Sequence, residues 1–153
     1  MKILYERYNE LVKPLSKKYL EDAGSDLQVF GVEPCPSNPT TIPSILKDPI
    51  LIKPSTQKIF TGIRVFIPYG YFGFITPRSS ARNQGIICQS VTDSGYVGWL
   101  MPFTTFTQDY TIYPGDRLLQ LVIHKIPKVN YKMSEVSNIK SKRGVKGGGS
   151  TGR

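Results

Sequence analysis

The sequence predicts an all-β protein. Short apolar or alternating runs bounded by proline and glycine recur along most of the 153 residues, whereas the spacing of an amphipathic helix is hard to find. The 12 prolines and 14 glycines agree, because these residues end strands and form corners. Many short strands of this kind indicate a sandwich, a barrel or a jelly roll.

The predicted strands follow one another along the chain. They cover residues 50–52, 59–67, 71–75, 97–103, 110–113 and 118–126. The spacing over residues 8–15 permits one modest helix, which Pro14 would cut off. Residues 32–49 are rich in Pro, Ser, Thr and Asn, and this composition is typical of a surface loop.

Length and composition predict a single domain with a tail. Residues 1–139 form the predicted β domain, and residues 140–153 form a flexible arm in which lysine and arginine lead into a glycine-rich stretch. No apolar run approaches the roughly 20 residues of a membrane helix, and the charged start is unlike a signal peptide. The two cysteines, Cys35 and Cys88, lie far apart. We therefore expect an intracellular protein, cytoplasmic or nuclear, of cellular or viral origin.

The net charge of +9 predicts an anionic partner. Either a nucleic acid or a small polyphosphate would satisfy it, and charge alone does not choose between them. Many of the lysines could equally decorate the surface.

Two short segments and the tail could carry chemistry. Pro77-Arg78-Ser79-Ser80 places a guanidinium and two hydroxyls at the end of a strand, which suits a phosphate. Asp93-Ser94-Gly95-Tyr96 places a carboxylate near an aromatic ring that can stack on a sugar or base. The glycine-rich tail could cradle a phosphate, although it lacks the lysine of a Walker A loop. Each segment taken alone also fits an ordinary turn or linker.

Three further residues fit structural roles better than catalytic ones. His124 alternates with an apolar strand, and Trp99 suits packing or an interface. Cys88 has no histidine base at a suggestive spacing, so we do not expect a thiol nucleophile.

In order, these segments resemble the five motifs of the trimeric dUTP pyrophosphatase (dUTPase) family over nearly the whole chain. The matching segments are residues 22–27, Pro77-Arg78-Ser79-Ser80, Asp93-Ser94-Gly95-Tyr96-Val97-Gly98, residues 115–121, and Arg143-Gly144 with Gly149-Ser150-Thr151-Gly152.

The resemblance implies a jelly-roll subunit, a homotrimer with shared active sites, and hydrolysis of dUTP to dUMP and pyrophosphate. It implies that Asp93 is the general base for water attack on the α-phosphorus, and that Tyr96 packs against the deoxyribose. Magnesium is implied as the cofactor, bound mainly by the substrate phosphates and water rather than by side chains. With dUTP as the anionic partner, we expect neither nucleic acid nor membrane binding.

The resemblance also assigns the phosphate contacts. The body of the subunit would hold the triphosphate through Arg78, Ser79, Ser80 and Gln120, and Asp26 would order the neighbouring polar network. The arm would clamp the terminal phosphates through Arg143, Gly149, Ser150 and Thr151. Gly148 falls where the family usually has a phenylalanine over the uracil, so we expect this arm to act on phosphates more than on the base.

Two other functions are compatible with the same motifs. The dCTP deaminases share the implied fold, and residues 78–82 lean toward their pattern, but their proton-shuttling glutamate falls near Phe103, with no carboxylate until Asp109. The third alternative is a dUTPase-like binding or regulatory protein whose altered arm has weakened turnover.

Overall fold

The computed structural model describes residues 1–146, and nearly all of the regular secondary structure in this range is β-strand. In chain order the elements are β1 (Leu4–Arg7), β2 (Gly24–Gln28), β3 (Gly31–Pro34), β4 (Ile50–Ile52), β5 (Ser55–Phe60), β6 (Ile63–Phe66), β7 (Tyr71–Pro77), α1 (Ser79–Asn83), β8 (Ile86–Ile87), β9 (Ser90–Thr92), β10 (Phe103–Phe106), β11 (Tyr110–Ile112), β12 (Arg117–Lys125) and a 3-10 turn (Val136–Asn138). The all-β prediction is confirmed.

Two four-stranded sheets form the body of the subunit. One has the order β3-β5-β10-β8 and the other the order β2-β12-β7-β9, and all their strand pairs are antiparallel. The pairs β1-β6 and β4-β11 flank them. The two larger sheets bury side chains such as Ile59, Phe106, Ile75 and Leu119 in one apolar core, as sheets with one apolar face must.

Three local predictions differ from the structure. The predicted strand over residues 59–67 is broken at Gly62, which adopts a φ of 68° and so ends β5 before β6 begins. Residues 97–102 form no strand in the described chain beyond a single bridge between Trp99 and Arg64. Residues 32–34 belong to β3 rather than to a surface loop.

The helix permitted over residues 8–15 is also wrong, because tertiary contacts hold this segment in turns. Val12 is buried against Gly62, where an added Cβ would lie 2.6 Å from a Val12 methyl. The Lys13 backbone N–H donates to the Gln28 side chain at 2.9 Å instead of to a helical carbonyl. No helix within residues 1–146 is long and apolar enough to cross a membrane.

Candidate active site

Arg78 lies where β7 passes into α1, and the backbone fixes it there. Its N–H donates to the Leu118 carbonyl at 2.9 Å, and its guanidinium donates to the Arg117 carbonyl at 3.1 Å. Ser79 and Ser80 occupy the first turn of α1 and are exposed. Both hydroxyls and the guanidinium therefore lie at one strand end, as predicted, although a short helix forms where the sequence indicated only a strand end.

Asp26 forms ion pairs with two arginines beside the end of β7. One of its oxygens is 2.9 Å from Arg78 Nε, and the other is 3.1 Å from Arg117 Nη1. Gln120 lies directly opposite Asp26 in the β2–β12 pair and donates to the Pro77 carbonyl at 3.4 Å. We call Asp26, Arg78, Arg117 and Gln120 the Asp26 cluster. Its two guanidiniums outnumber its single carboxylate, so the cluster keeps a net positive charge that suits a phosphate.

Space for a ligand adjoins the Asp26 cluster. A cleft of about 360 Å³ is lined by Arg78, Ser80, Asp116 and Arg117, among others. Gly24, in the first motif, leaves room for the Gln120 side chain, because an added Cβ would lie 2.6 Å from its Oε1. The structure thus brings together four residues predicted from sequence: Asp26, Arg78, Ser80 and Gln120.

Asp93 and Tyr96 form a second group, on the turn that follows β9. Gly95 has a φ of 77°, and its N–H donates to the Ile67 carbonyl at 3.0 Å, which fixes the turn. The Tyr96 N–H donates to the Asp93 carbonyl at 3.3 Å, and its hydroxyl donates to the Trp99 carbonyl at 3.2 Å. Both side chains line a cleft of about 190 Å³ that also includes Trp99 and Phe103.

The two groups lie at opposite ends of β7 in one chain. Thr92, next to Asp93, pairs with Gly73, whereas Leu119, next to Gln120, pairs with Pro77. The five residue-to-residue steps from Gly73 to Arg78 span about 17 Å of extended strand. Within one chain, Asp93 and Arg78 therefore line two separate clefts, one near each end of this strand.

Of the site residues predicted in the arm, Arg143 lies within the described residues 1–146. Arg143 is exposed, and its Nε donates to the Lys146 carbonyl at 2.9 Å. Every residue from 127 to 146 is exposed, so this part of the chain packs on no core. Gly148, Gly149, Ser150 and Thr151 lie outside the described residues, and their assignments stay predictions.

A comparison with known proteins decides the family. The sequence model of the dUTPase family matches residues 44–152. The chain belongs to the dUTPase family. The deoxyuridine 5'-triphosphate nucleotidohydrolase of Alcanivorax borkumensis is 37% identical over 118 residues, which cover 72% of this chain and 78% of that one. The enzyme of the same name from Tropheryma whipplei is 39% identical over 105 residues, covering 63% and 70% of the two chains.

Solved dUTPase structures share the fold. The Staphylococcus bacteriophage 80alpha dUTPase, as a G164S mutant with dUpNHpp, has a TM-score of 0.77 and 21% identity, with 99% of each chain covered. The native EIAV dUTPase has a TM-score of 0.66 and 22% identity, covering 90% of this chain and 100% of that one. The sequence predictions of the family and of its jelly-roll-like β fold are confirmed.

Among the site-lining residues to which the sequence analysis assigns no function are Arg117 and Trp99. Arg117 lies within the fourth motif, residues 115–121, and its position in that motif is the signal that could have identified it as a site residue. The sequence favours packing or an interface for Trp99, and its ring contacts Tyr8 and Phe60 at centroid distances of 5.6 and 5.8 Å. Trp99 also lines the cleft of Asp93, a position that depends on tertiary packing and has no signal in the sequence.

The remaining two residues have the structural positions expected of them. Cys88 is buried, and this burial raises the pKa of its thiol, which leaves less thiolate for nucleophilic attack. His124 lies in β12 and stacks on Phe72 with a centroid distance of 5.1 Å.

Proposed function

We propose that the chain hydrolyses dUTP to dUMP and pyrophosphate, by water attack on the α-phosphorus, in a site assembled between subunits. The observation that carries the proposal is that two groups of residues lie at opposite ends of β7. Asp93 and Tyr96 are suited to binding a nucleoside, and the Asp26 cluster is suited to binding phosphates. Each group is half of a dUTPase site, so two halves from different chains would complete one.

An apolar outer face supports the homotrimer. Val122, Phe74 and Val91 are paired across β12, β7 and β9, and they lie on the side of this sheet that faces away from the core. Val91 is 61% exposed in the single chain, and Phe72 continues the same face. Contiguous exposed apolar faces of this kind commonly mark a surface that another protein chain covers. Copies of the same chain related by a threefold axis would do so.

In this proposal Asp93 takes the proton of the attacking water. Asp93 is the single carboxylate among the residues that line its cleft, and its side chain is exposed to solvent. Tyr96 would lie beneath the deoxyribose and fill the space that a ribose 2′-hydroxyl needs. Positioned groups of this kind supply catalysis mainly by orientation and proton transfer.

The phosphates would be held by donors from two regions. The Asp26 cluster side supplies Arg78, Ser79, Ser80 and Gln120, with Asp26 holding the Arg78 guanidinium in place. The arm would add Arg143, Gly149, Ser150 and Thr151. Exposure of the whole stretch from 127 to 146 supports an arm that leaves its own subunit and reaches a neighbouring site.

Magnesium is proposed to enter with the substrate. Residues 1–146 contain no group of three or more His, Cys, Asp or Glu side chains that could hold a metal ion by themselves. An ion bound mainly by phosphate oxygens and water needs no such group, so the donor set fits a substrate-borne Mg²⁺. When bound, the ion would neutralise charge on the triphosphate. We further propose that the protein acts inside a cell, in keeping with the free thiols of Cys35 and Cys88.

One assay separates the three functions considered. The pure protein is incubated with dUTP or dCTP and Mg²⁺, and the nucleotides are separated. We expect dUMP and pyrophosphate from dUTP and no change in dCTP. Formation of dUTP from dCTP would instead indicate a deaminase, and binding of dUTP without turnover would indicate a regulatory protein.

A further inference from the structure

Lys58 is a fully buried lysine in the middle of a sheet. Its relative exposure is 0%, and it lies on β5 between β3 and β10. Lysine is almost never fully buried unless its ammonium is paired, because desolvation of a charge is costly. The proposed hydrolysis assigns Lys58 no role.

The ammonium of Lys58 is surrounded by oxygen atoms. It lies 2.7 Å from a carboxylate oxygen of Glu33 on β3. It also donates to the backbone carbonyls of Asn38 at 2.5 Å and of Thr41 at 2.6 Å. The ion pair with Glu33 compensates the buried charge, and the two carbonyls accept hydrogen bonds from the ammonium group. A buried ammonium held in this way fixes the parts of the chain that carry its acceptors.

The two carbonyls bracket a short turn. Asn38 and Thr41 are its ends, and Pro39 and Thr40 are its middle residues. Inside the turn, the Asn38 side chain accepts from the Thr40 N–H at 3.0 Å. Lys58 therefore fastens both ends of this turn to the sheet beneath it.

The fastened turn reaches the cleft of Asp93. Pro39 lines that cleft together with Phe103 and Tyr96. Lys58 also lies next to a second lining residue, because it pairs with Phe103 across β5 and β10. The next residue, Ile59, donates its N–H to the carbonyl of Pro102, another lining residue, at 3.0 Å.

We propose that Lys58 is a positioning residue for nucleoside binding: it holds the turn of residues 38–41 so that Pro39 forms one wall of the Asp93 cleft. The proposal rests on the proposed function, because it takes this cleft to be the nucleoside site. Lys58 touches no reacting atom in this scheme. Its loss should weaken ground-state binding of the nucleotide and leave the chemical step largely intact.

The first test replaces the ammonium with an apolar group of similar length. In Lys58→Met, the KM for dUTP and the Kd for dUpNHpp should rise about tenfold or more, whereas kcat should stay within about threefold of the native value. Lys53→Met is the matched control, because Lys53 also forms an ion pair, with Asp109, but its side chain is 69% exposed and does not line the cleft. The control should change neither constant. A folded Lys58→Met protein with native KM would overturn the proposal.

A second variant acts on the turn and leaves Lys58 in place. Pro39→Gly removes the wall residue and should raise KM with little change in kcat. If Lys58 acts through this turn, the double variant should have a KM close to that of the single variant with the higher KM, because both changes remove the same contact. Effects on KM that multiply would overturn the proposal. If Lys58→Met does not fold, Pro39→Gly decides: a native KM would contradict a wall role for the turn, and a raised KM with native kcat would support it.

Hydrolysis of dUTP by the native protein shows whether the proposed function or only the role of Lys58 is wrong. If the native protein does not hydrolyse dUTP, the function is wrong. If it does, and the Lys58 and Pro39 variants keep native KM, only the positioning role is wrong.

Discussion

Gly98→Ala is expected to displace the Tyr96 ring without changing that residue. A Cβ added at Gly98 would lie 2.9 Å from Tyr96 Cε2 and closer still to Cζ and the hydroxyl oxygen. Carbon atoms pack at about 3.5–4.0 Å, so the ring has to move by roughly 1 Å or more. Gly98 is not among the glycines with positive φ, so the backbone itself accepts alanine.

The displacement translates into a loss of activity. A misplacement of about 1 Å at a reacting site can cost up to about 10²-fold, so we expect kcat/KM for dUTP to fall by about 10- to 100-fold. Discrimination between dUTP and UTP should narrow as well, because the ring no longer fills the space beneath the sugar. The free energy of unfolding should change by less than about 1 kcal/mol, since the site is partly exposed and lies on a turn.

Steady-state kinetics in two backgrounds tests this reasoning. In the Tyr96→Ala background the ring is gone, so Gly98→Ala should have little further effect on kcat/KM. An equal loss in both backgrounds, or native kinetics in Gly98→Ala alone, would refute the contact between Gly98 and the tyrosine ring as the cause.

Three further outcomes follow from the site, the core and the arm. Asp93→Asn should lower kcat by roughly 10² or more while dUpNHpp still binds, because an amide cannot take the proton of water; near-native turnover would exclude the base role. Burial raises the pKa of the Cys88 thiol, an effect that the nearby Thr104 hydroxyl only partly offsets. In the folded state the Cys88 thiol therefore keeps its proton above pH 9.0, the ordinary pKa, whereas in the unfolded chain the thiol loses it. This contribution to the free energy of unfolding should be fully present below that pH and be lost above it. Urea unfolding should therefore show a flatter decline in Cys88→Ala. Deletion of residues 143–153 should leave a folded protein by circular dichroism but abolish hydrolysis, and retained turnover would show that the arm is dispensable.

Local chemistry made parts of the fold predictable. The strand over residues 50–52 coincides with β4, and the strand predicted over 118–126 differs from β12 by one residue at each end. Short apolar runs bounded by turn residues predict such strands, because at least one face of the strand must be buried. The break at Gly62 was not predictable from pattern, since it depends on Val12 packing against a glycine distant in sequence.

The site was predictable as separate motifs but not as an arrangement. The chemistry of Asp93 and of Arg78 follows from residue types, whereas their positions at opposite ends of β7 follow from strand pairing. The burial of Lys58 was likewise not predictable from the sequence. In sequence Lys58 resembles any surface lysine, and only the packing of β3, β10 and the turn of residues 38–41 buries it.

Mixing subunits of two variants tests the proposed homotrimer with shared sites most directly. Asp93→Asn and Arg78→Ala subunits are each expected to form inactive trimers, and they are unfolded and refolded together in equal amounts. If Asp93 and Arg78 of one site come from different chains, random assembly should restore about a quarter of the native sites, because one intact pairing in four arises by chance. If each site is built within one chain, every site keeps a defect, and the mixture should hydrolyse dUTP no faster than either variant alone.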